Sequence, residues 1–336
     1  MLQRCQWEPA KLELKSRHLL KLVLPGFAGG IHMEIPFHVL VGRVRKPRVL
    51  LIAGVHGDEY ESVAALHDVV KGIDPERLRG TLTIVPVANP QAFYAGTRRN
   101  PVDLGDLNRA FPGNPNGTIT ERVADLLFQN LVLCNDAVLS MHCWSKEATV
   151  VPYVECAADQ TSVGRKSAAL AHALGLEFVH PYIWHPGLLV ASAIHRGIPA
   201  VEPEVGGMGM VTPYGQGSYR NIVYRFLHHM KLLDSHAYQT DPPHPNPKTI
   251  SHSDCRANHA GLFRSRVSAG TAVEDGSILG TIHGLAGECL EEIRAPRAGV
   301  VGNLRTFASV QPGDLLVQLF WQIKELIVSK RTRHNE

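Results

Sequence analysis

The chain has 336 residues, 44% of them hydrophobic and 19% charged, the balance of an ordinary soluble globular protein. Its 34 Lys and Arg stand against 31 Asp and Glu, and the resulting formal charge of +3 is too small to argue for a nucleic-acid partner. No run approaches the roughly 18 apolar residues of a membrane span, and the N-terminus lacks an apolar signal core, so no membrane partner is expected. The cysteines (Cys5, Cys134, Cys143, Cys156, Cys255 and Cys289) include no Cys-x-x-Cys pair. That spacing argues against a disulfide framework or a thiolate zinc site, and it points to a cytoplasmic protein.

From Leu12 to Val41 the pattern is strand-like, with Ile31, Met33, Ile35, Phe37, Val39 and Val41 alternating so that they share one face. Val49-Leu50-Leu51-Ile52 reads as a buried strand that runs into Ala53-Gly54-Val55-His56-Gly57-Asp58-Glu59. Apolar residues then recur at helical spacing, predicting a helix near Glu59–Lys71. His56 and Glu59 therefore stand where the C-terminal end of a strand becomes a helix, the usual ligand position in an open α/β sheet. Residues three apart on one turn have Cβ atoms about 5–6 Å apart, near enough for an imidazole and a carboxylate to grip one ion. Such ligands suit zinc, which needs a third protein ligand and an open position to be catalytic.

Two other readings compete for this turn. Gly54 and Gly57 suggest a phosphate cradle, but Asp58 and Glu59 would repel an anion at the helix start, and no third glycine completes a dinucleotide fingerprint. A lone His-x-x-Glu is more often a polar turn residue beside a favourable first-turn carboxylate. The rest of the chain has to decide.

A strand is predicted at Thr81–Val87, then a long polar loop from Asn89 to Asn116 containing Arg98, Arg99, Asn108 and Arg109. A compact domain seldom keeps so long a loop without a use for it. Thr118–Leu133 reads as a helix, with Glu121 placed to complete a capping box behind Thr118. Asp136–Met141 is a predicted strand ending at His142, which can supply a third ligand 83 residues after Glu59. Helices follow at Thr161–Leu174 and Ser218–Leu233, with a strand at Ile198–Val205 leading into Gly206-Gly207. At that strand's end Glu204 can face a metal-held water, with Glu202 as a weaker rival. Asp241-Pro242-Pro243-His244-Pro245-Asn246-Pro247 marks a stiff linker. The alternation of strands and helices before it predicts a mostly parallel sheet covered on both faces.

After the linker the pattern changes to short strands and glycine turns. Val273-x-x-Gly276-x-x-Leu279 recurs as Val310-x-x-Gly313-x-x-Leu316, and Ala260-Gly261 as Ala298-Gly299. Such halves suggest a small pseudo-symmetric all-β sandwich, similar to the barrel-sandwich halves of lipoyl and biotinyl carriers. No lysine occurs from Ala257 to Gln322, so a swinging-arm carrier is excluded, and a lid or assembly element is expected. The division predicted is 1–238 catalytic α/β domain, 239–254 Pro-rich linker, 255–322 β domain and 323–336 tail.

Together the His-Gly-Asp-Glu turn, the Asp106-Leu107-Asn108-Arg109-Ala110-Phe111-Pro112-Gly113 motif, the strand-end His142, Glu204-Val205-Gly206-Gly207 and the C-terminal β module resemble the aspartoacylase / succinylglutamate desuccinylase family. These are deacylase relatives of the zinc carboxypeptidases, and the resemblance is nearest to the branch of N-acetyl-diaminobutanoate deacetylases. It implies one zinc ion held by His56, Glu59 and His142, with Glu204 as general base and acid. It puts Arg98 in the oxyanion-stabilising position, with Arg99 as competitor because loop length varies there, and Asn108 with Arg109 as the substrate-carboxylate clamp. The family's usual Asp-Leu-His at the third ligand is Ser140-Met141-His142 here, which leaves open what supports His142 from behind. The function implied is removal of a small acyl group, acetyl or succinyl, from an N-acyl amino acid, in a chain that can form a homo-oligomer through its β module. A zinc carboxypeptidase acting on short peptides would share the same residues, and a metal-binding regulatory module would need neither Glu204 nor Arg98.

Overall fold

The computed structural model describes residues 11–24, 32–183, 185–234 and 238–323. In chain order the elements are β1 (Ser16–Leu24), β2 (Met33–Val41), β3 (Arg48–Ile52), α1 (Tyr60–Gly72), β4 (Thr81–Val85), α2 (Pro90–Ala95), α3 (Ile119–Asn130) and β5 (Ala137–Ser140). Then come β6 (Ala148–Ala157), α4 (Ser162–Ala173), β7 (Phe178–Tyr182), α5 (Leu189–His195), β8 (Ala200–Gly207), α6 (Pro213–His229) and β9 (Lys248–Arg256). The last strands are β10 (Gly261–Ser265), β11 (Ala272–Val273), β12 (Ile278–His283), β13 (Cys289–Arg294), β14 (Gly299–Arg305), β15 (Ser309–Val310) and β16 (Leu315–Gln322).

Successive side chains of a strand point to opposite faces, and β3 is apolar on both. Val49 and Leu51 pack into one core with residues of α1, α4 and α6, while Leu50 and Ile52 pack into another with residues of α3 and α5. The strand is thus sandwiched between helical layers, as its unbroken apolar run requires. In β2 the alternation of Met33, Ile35, Phe37, Val39 and Val41 sends all five to the second core. Ile31 lies outside the described residues.

The main sheet has 12 strands in the order β1-β2-β4-β3-β5-β8-β6-β7-β9-β16-β14-β11. Its centre, β4-β3-β5-β8, is parallel, so these strands end on the same side. β1 and β2 add antiparallel pairs at one edge, and β6 is antiparallel to β8. The architecture is therefore mixed α/β. Hydrogen bonding continues across the Pro-rich segment: β9 pairs with β7 and β16, and β14 pairs with β6. Residues 248–254, read as the end of the linker, instead lie in β9. Its sequence has few apolar residues, with only Ile250 and Cys255 buried, so it carries almost no strand signal.

The remaining four strands form a second sheet, β13-β12-β10-β15. The two sequence repeats occupy equivalent places, each a two-residue strand, a glycine turn and a longer strand. β10 pairs with β12 and with β15, and β14 pairs with β16 and with β11, so each half lends its short strand to the other.

The long polar loop is partly ordered by its own caps. Asn89 caps α2, Asp106 caps the 3-10 turn Leu107–Arg109, and Asp103 Oδ2 accepts from the Thr120 N–H at 2.7 Å, pinning the loop to α3. Cys134 is disulfide-bonded, a single bond that the spacing of cysteines did not foretell, whereas Cys143, Cys156, Cys255 and Cys289 are free. Among the described residues no helix is long and apolar enough to cross a membrane. The basic run Lys330-Arg331-Thr332-Arg333 lies outside them.

The capping box of α3 is complete: Thr118 Oγ1 accepts from the Glu121 N–H at 3.3 Å, and Glu121 Oε2 accepts from the Thr118 N–H at 2.8 Å. Thr118→Ala should destabilise the chain by about 1 kcal/mol. Chemical denaturation checks this, and an unchanged midpoint would show that the box contributes nothing measurable.

Candidate metal centre

Because β3 and β5 run parallel with Ile52 opposite Ser140, and β5 meets β8 with Leu139 opposite Val201, three strand ends converge. His56 leaves the end of β3 and His142 the end of β5, while Glu202 and Glu204 lie within β8, just past its pairing with β5. Each is held from its backbone. A Cβ at Gly57 would run into the backbone of Ala92, so only glycine lets α2 close against the turn. The His142 N–H donates to the Pro203 carbonyl at 3.0 Å, and its carbonyl accepts from the Val205 N–H at 3.2 Å and from the Tyr219 hydroxyl. His142 forms a β-bridge with Glu204.

These constraints bring the predicted ligands together. His56 Nδ1 is 2.6 Å from Glu59 Oε1, His142 Nδ1 is 3.0 Å from Glu59 Oε2, and the two Nδ1 atoms are 3.3 Å apart. His56, Glu59 and His142 are all buried, and their ligand atoms lie close enough to share one metal ion. His142, Glu202 and Glu204 form a second such group, sharing His142. Glu204 Oε2 is buried and without a hydrogen-bond partner among the described residues, as a group that faces an ion or its water would be. Two imidazoles with one carboxylate form a donor set suited to zinc or another first-row transition metal.

Both rings also have support at the far nitrogen. His56 Nε2 is 3.2 Å from Asp106 Oδ1, and His142 Nε2 is 3.0 Å from Ser140 Oγ. Asp106 was not singled out from sequence, although it lies inside the quoted motif. Nothing local marks it as a partner of His56, which lies 50 residues away in the chain.

Charge compensation is visible in Glu59, His142 and Asp106. Burial would raise the Glu59 carboxyl, but His56 and His142 reverse this and hold it below the ordinary range. Burial would lower His142, and Glu202 and Glu59 overcome it, lifting the ring to about 10. Burial would raise Asp106 too, but His56 and Arg98 pull it down. Burial followed by Glu59 pushes the Glu204 carboxyl well above its ordinary value. The Cys143 thiol is driven up by burial and Glu59, so it stays protonated, and it is the Cys143 N–H that serves Glu59, at 3.0 Å.

A cavity of about 500 Å³ opens over the cluster, lined by His56, Glu59, Arg98, Asn108, Arg109 and Glu204 among others. Arg98 approaches Glu59 at 3.5 Å and donates from Nε to Asp106 at 3.3 Å; burial works against its charge, and these carboxylates outweigh it. Arg99 is exposed and does not line the cavity. Arg109 lines it and is exposed. Asn108 is buried with its amide engaged inside the protein: Oδ1 accepts from the Leu189 N–H at 3.0 Å and Nδ2 donates to Glu202 at 3.4 Å. His185 also lines the cavity, as do His252, Asp254, Arg256, Leu315 and Gln318 from beyond the Pro-rich segment.

The family model described as "Succinylglutamate desuccinylase/Aspartoacylase catalytic domain" matches residues 45–230. The N-alpha-acetyl-L-2,4-diaminobutyric acid deacetylase of Halomonas elongata is 31% identical over 297 residues, covering 85% of this chain and 86% of its own. The product-bound structure of the ectoine utilization protein EutE (DoeB) from Ruegeria pomeroyi superposes with a TM-score of 0.84 at 27% identity, covering 92% of this chain and 97% of that one. A succinylglutamatedesuccinylase/aspartoacylase structure from Rhodobacter sphaeroides gives a TM-score of 0.85 at 25% identity over 96% and 100% of the two chains.

The ion pair of Glu59 with His142 implies a pH dependence for the metal-free protein. Glu59 lies below its ordinary 4.5, so its contribution is present above that pH and is lost on acidification. His142 is raised from 6.5 to about 10, so its contribution is complete below 6.5 and disappears as pH rises toward 10. Thermal melts of the chelated protein should therefore decline on the alkaline side of 6.5, and His142→Gln should flatten that limb. A wild-type profile that is level there would refute the ionisation described.

Proposed function

The chain belongs to the succinylglutamate desuccinylase/aspartoacylase family, and we propose that it is a zinc-dependent amidohydrolase removing a small acyl group from an N-acyl amino acid. The observation that carries this reading is the buried His56, Glu59 and His142 group with Glu204 beside it, whose Oε2 has no hydrogen-bond partner among the described residues, in a cavity of small-molecule size. The name of the Halomonas relative makes acetyl the first acyl group to test, ahead of succinyl.

His56 and His142, each through Nδ1, and Glu59 would hold the ion. Bound zinc supplies a Lewis acid that polarises an amide carbonyl and brings the pKa of water from 15.7 to about 7. Glu204 takes the proton of the attacking water and returns it to the departing amine. Burial and the neighbouring Glu59 raise its pKa, which favours a carboxyl that holds the proton it has taken until the amine departs. Arg98 faces the same space and stabilises the developing oxyanion, a contribution of about 3–4 kcal/mol for a well-placed donor. Arg109, at the cavity wall, meets the substrate's free carboxylate with two parallel hydrogen bonds. Asn108 serves that clamp by holding the turn, because Arg109 also donates to the Asn108 carbonyl at 2.7 Å. The segment from 255 on acts as a wall that shapes access, and its sheet edges suit pairing with a second copy of the chain. A cytoplasmic setting fits a small-molecule deacylase.

Three measurements test this reading. Metal analysis of the purified protein should give one zinc per chain and, for His56→Ala, far less; undiminished zinc in the variant would sink the ligand assignment. Glu204→Gln should keep zinc and fold while turnover of an N-acetyl amino acid falls about 10²–10⁴-fold. Arg109→Met should raise KM more than it lowers kcat on the acid substrate, with little effect on the corresponding carboxamide. If the wild type hydrolyses the carboxamide as well as the acid, Arg109 is no clamp.

A further inference from the structure

The side of His142 away from the ligand cluster is built as carefully as the side facing it. With Nδ1 turned toward His56 and Glu59, the tautomer able to bind a cation carries its proton on Nε2. Ser140 Oγ lies 3.0 Å from that nitrogen and accepts the hydrogen bond. Glu202 Oε2 lies 3.6 Å from it, too far for a hydrogen bond but near enough for its charge to be felt. Glu202 is itself buried, as are Ser140 and His142. Its carboxylate accepts from Asn108 Nδ2 at 3.4 Å and 3.5 Å, and the other end of that amide accepts from the Leu189 N–H.

His56 offers the comparison within the same site: its Nε2 is served by one carboxylate, Asp106. We infer that Ser140 and Glu202 together do for His142 what Asp106 does for His56. Ser140 fixes the ring plane and Glu202 places a negative charge behind the imidazole, making His142 a better ligand. Glu202 is thereby a positioning residue, and through Asn108 it ties the metal centre to the loop carrying Arg109. A serine alone cannot supply the charge, and a glutamate on the neighbouring strand does. Glu202 and Glu204, two residues apart on β8, thus divide their work: one stands behind the ligand and the other beside the ion.

This inference rests on the zinc reading above, and the test separates the two. Zinc affinity of the full chain is measured by equilibrium competition with a chelator, and the visible spectrum of the Co²⁺-substituted protein is recorded alongside. Glu202→Gln should bind zinc about 10–100-fold more weakly and shift the Co²⁺ bands, the usual cost of losing such a supporting carboxylate. Glu204→Gln should bind zinc as the wild type does. Ser140→Asp/Glu202→Gln returns a carboxylate to Nε2 from the other strand and should recover most of the affinity. Unchanged affinity in Glu202→Gln, or a loss that Ser140→Asp does not recover, overturns the inference while the zinc site stands. A wild type that binds no zinc overturns both. If Glu202→Gln does not fold, the double variant decides: near-wild-type affinity supports the inference, and weakening of tenfold or more overturns it.

Discussion

Burying the Glu59 carboxylate at the end of the sheet is the constraint on which the rest of the site depends. An isolated charge in such a place is costly, and proteins tolerate it only with partners on several sides. Glu59 has them: two imidazoles, the Cys143 N–H, and the Arg98 guanidinium at its edge. The partners come from three different parts of the chain, so the carboxylate can be satisfied only when the strands are assembled. Folding and construction of the ligand cluster are in this sense one event. A metal ion would replace protons as the positive charge that the pocket already demands.

Parallel strand order does the positioning. β3, β5 and β8 are neighbours, and the turns after β3 and β5 deliver side chains into the same volume as Glu202 and Glu204, which β8 carries just past its pairing with β5. The His142 peptide is bonded on both sides by β8 and capped by Tyr219, which leaves the ring little freedom. Groups on rigid strand ends keep their geometry better than groups on loops. The arginines, by contrast, come from the loop after α2, and that loop is tied down by Asp103, Asp106 and Asn108. The division suits the proposed chemistry, in which a ligand cluster is fixed before an ion arrives and the facing side admits and releases a small molecule. The segment beyond the Pro-rich stretch completes the cavity wall, where Asp254 is already met by Arg256 at 2.7 Å and by Gln318 at 3.0 Å.

What could be read from sequence follows from how local each determinant is. β3 announces itself because both faces are apolar, and α3 because Thr118 and Glu121 make a cap within four residues. The turn with His56 and Glu59 is likewise a short-range pattern, and His142 was read from its place at a strand end; Glu204 was read in the same way, though β8 continues past it to Gly207. β6 escaped because Pro152 interrupts it; in the structure Pro152 falls at a register shift, between Val150 and Tyr153, where a bulge can accept it. α5 is too short for a periodic signal, and β9 is too polar. The partners behind the ligands were invisible for a different reason. Asp106 lies 50 residues from His56, and Glu202 reaches His142 across a strand pair, so only the folded sheet brings them together.

Glu202 and Glu204 show how far one strand can separate two identical side chains. A two-residue spacing sends both to the same face. The difference comes from what meets them. Asn108 binds Glu202, whereas Glu204 keeps an oxygen unpartnered near the ligand group. The glycines that follow Glu204 belong to the same arrangement. Gly206 has φ +73, and a Cβ there would strike the Glu61 carboxylate, whose Oε1 accepts from the Thr212 hydroxyl at 2.6 Å. Glu61 thus bridges the start of α1, just past the His56 turn, to the start of α6, just past β8. A side chain at Gly206 would push these apart and move Glu204 relative to His56 and Glu59. The Gly-Gly that distinguishes Glu204 from Glu202 in sequence is therefore a packing requirement, and it marks the carboxylate whose distance from the His56–Glu59 turn has to be held constant.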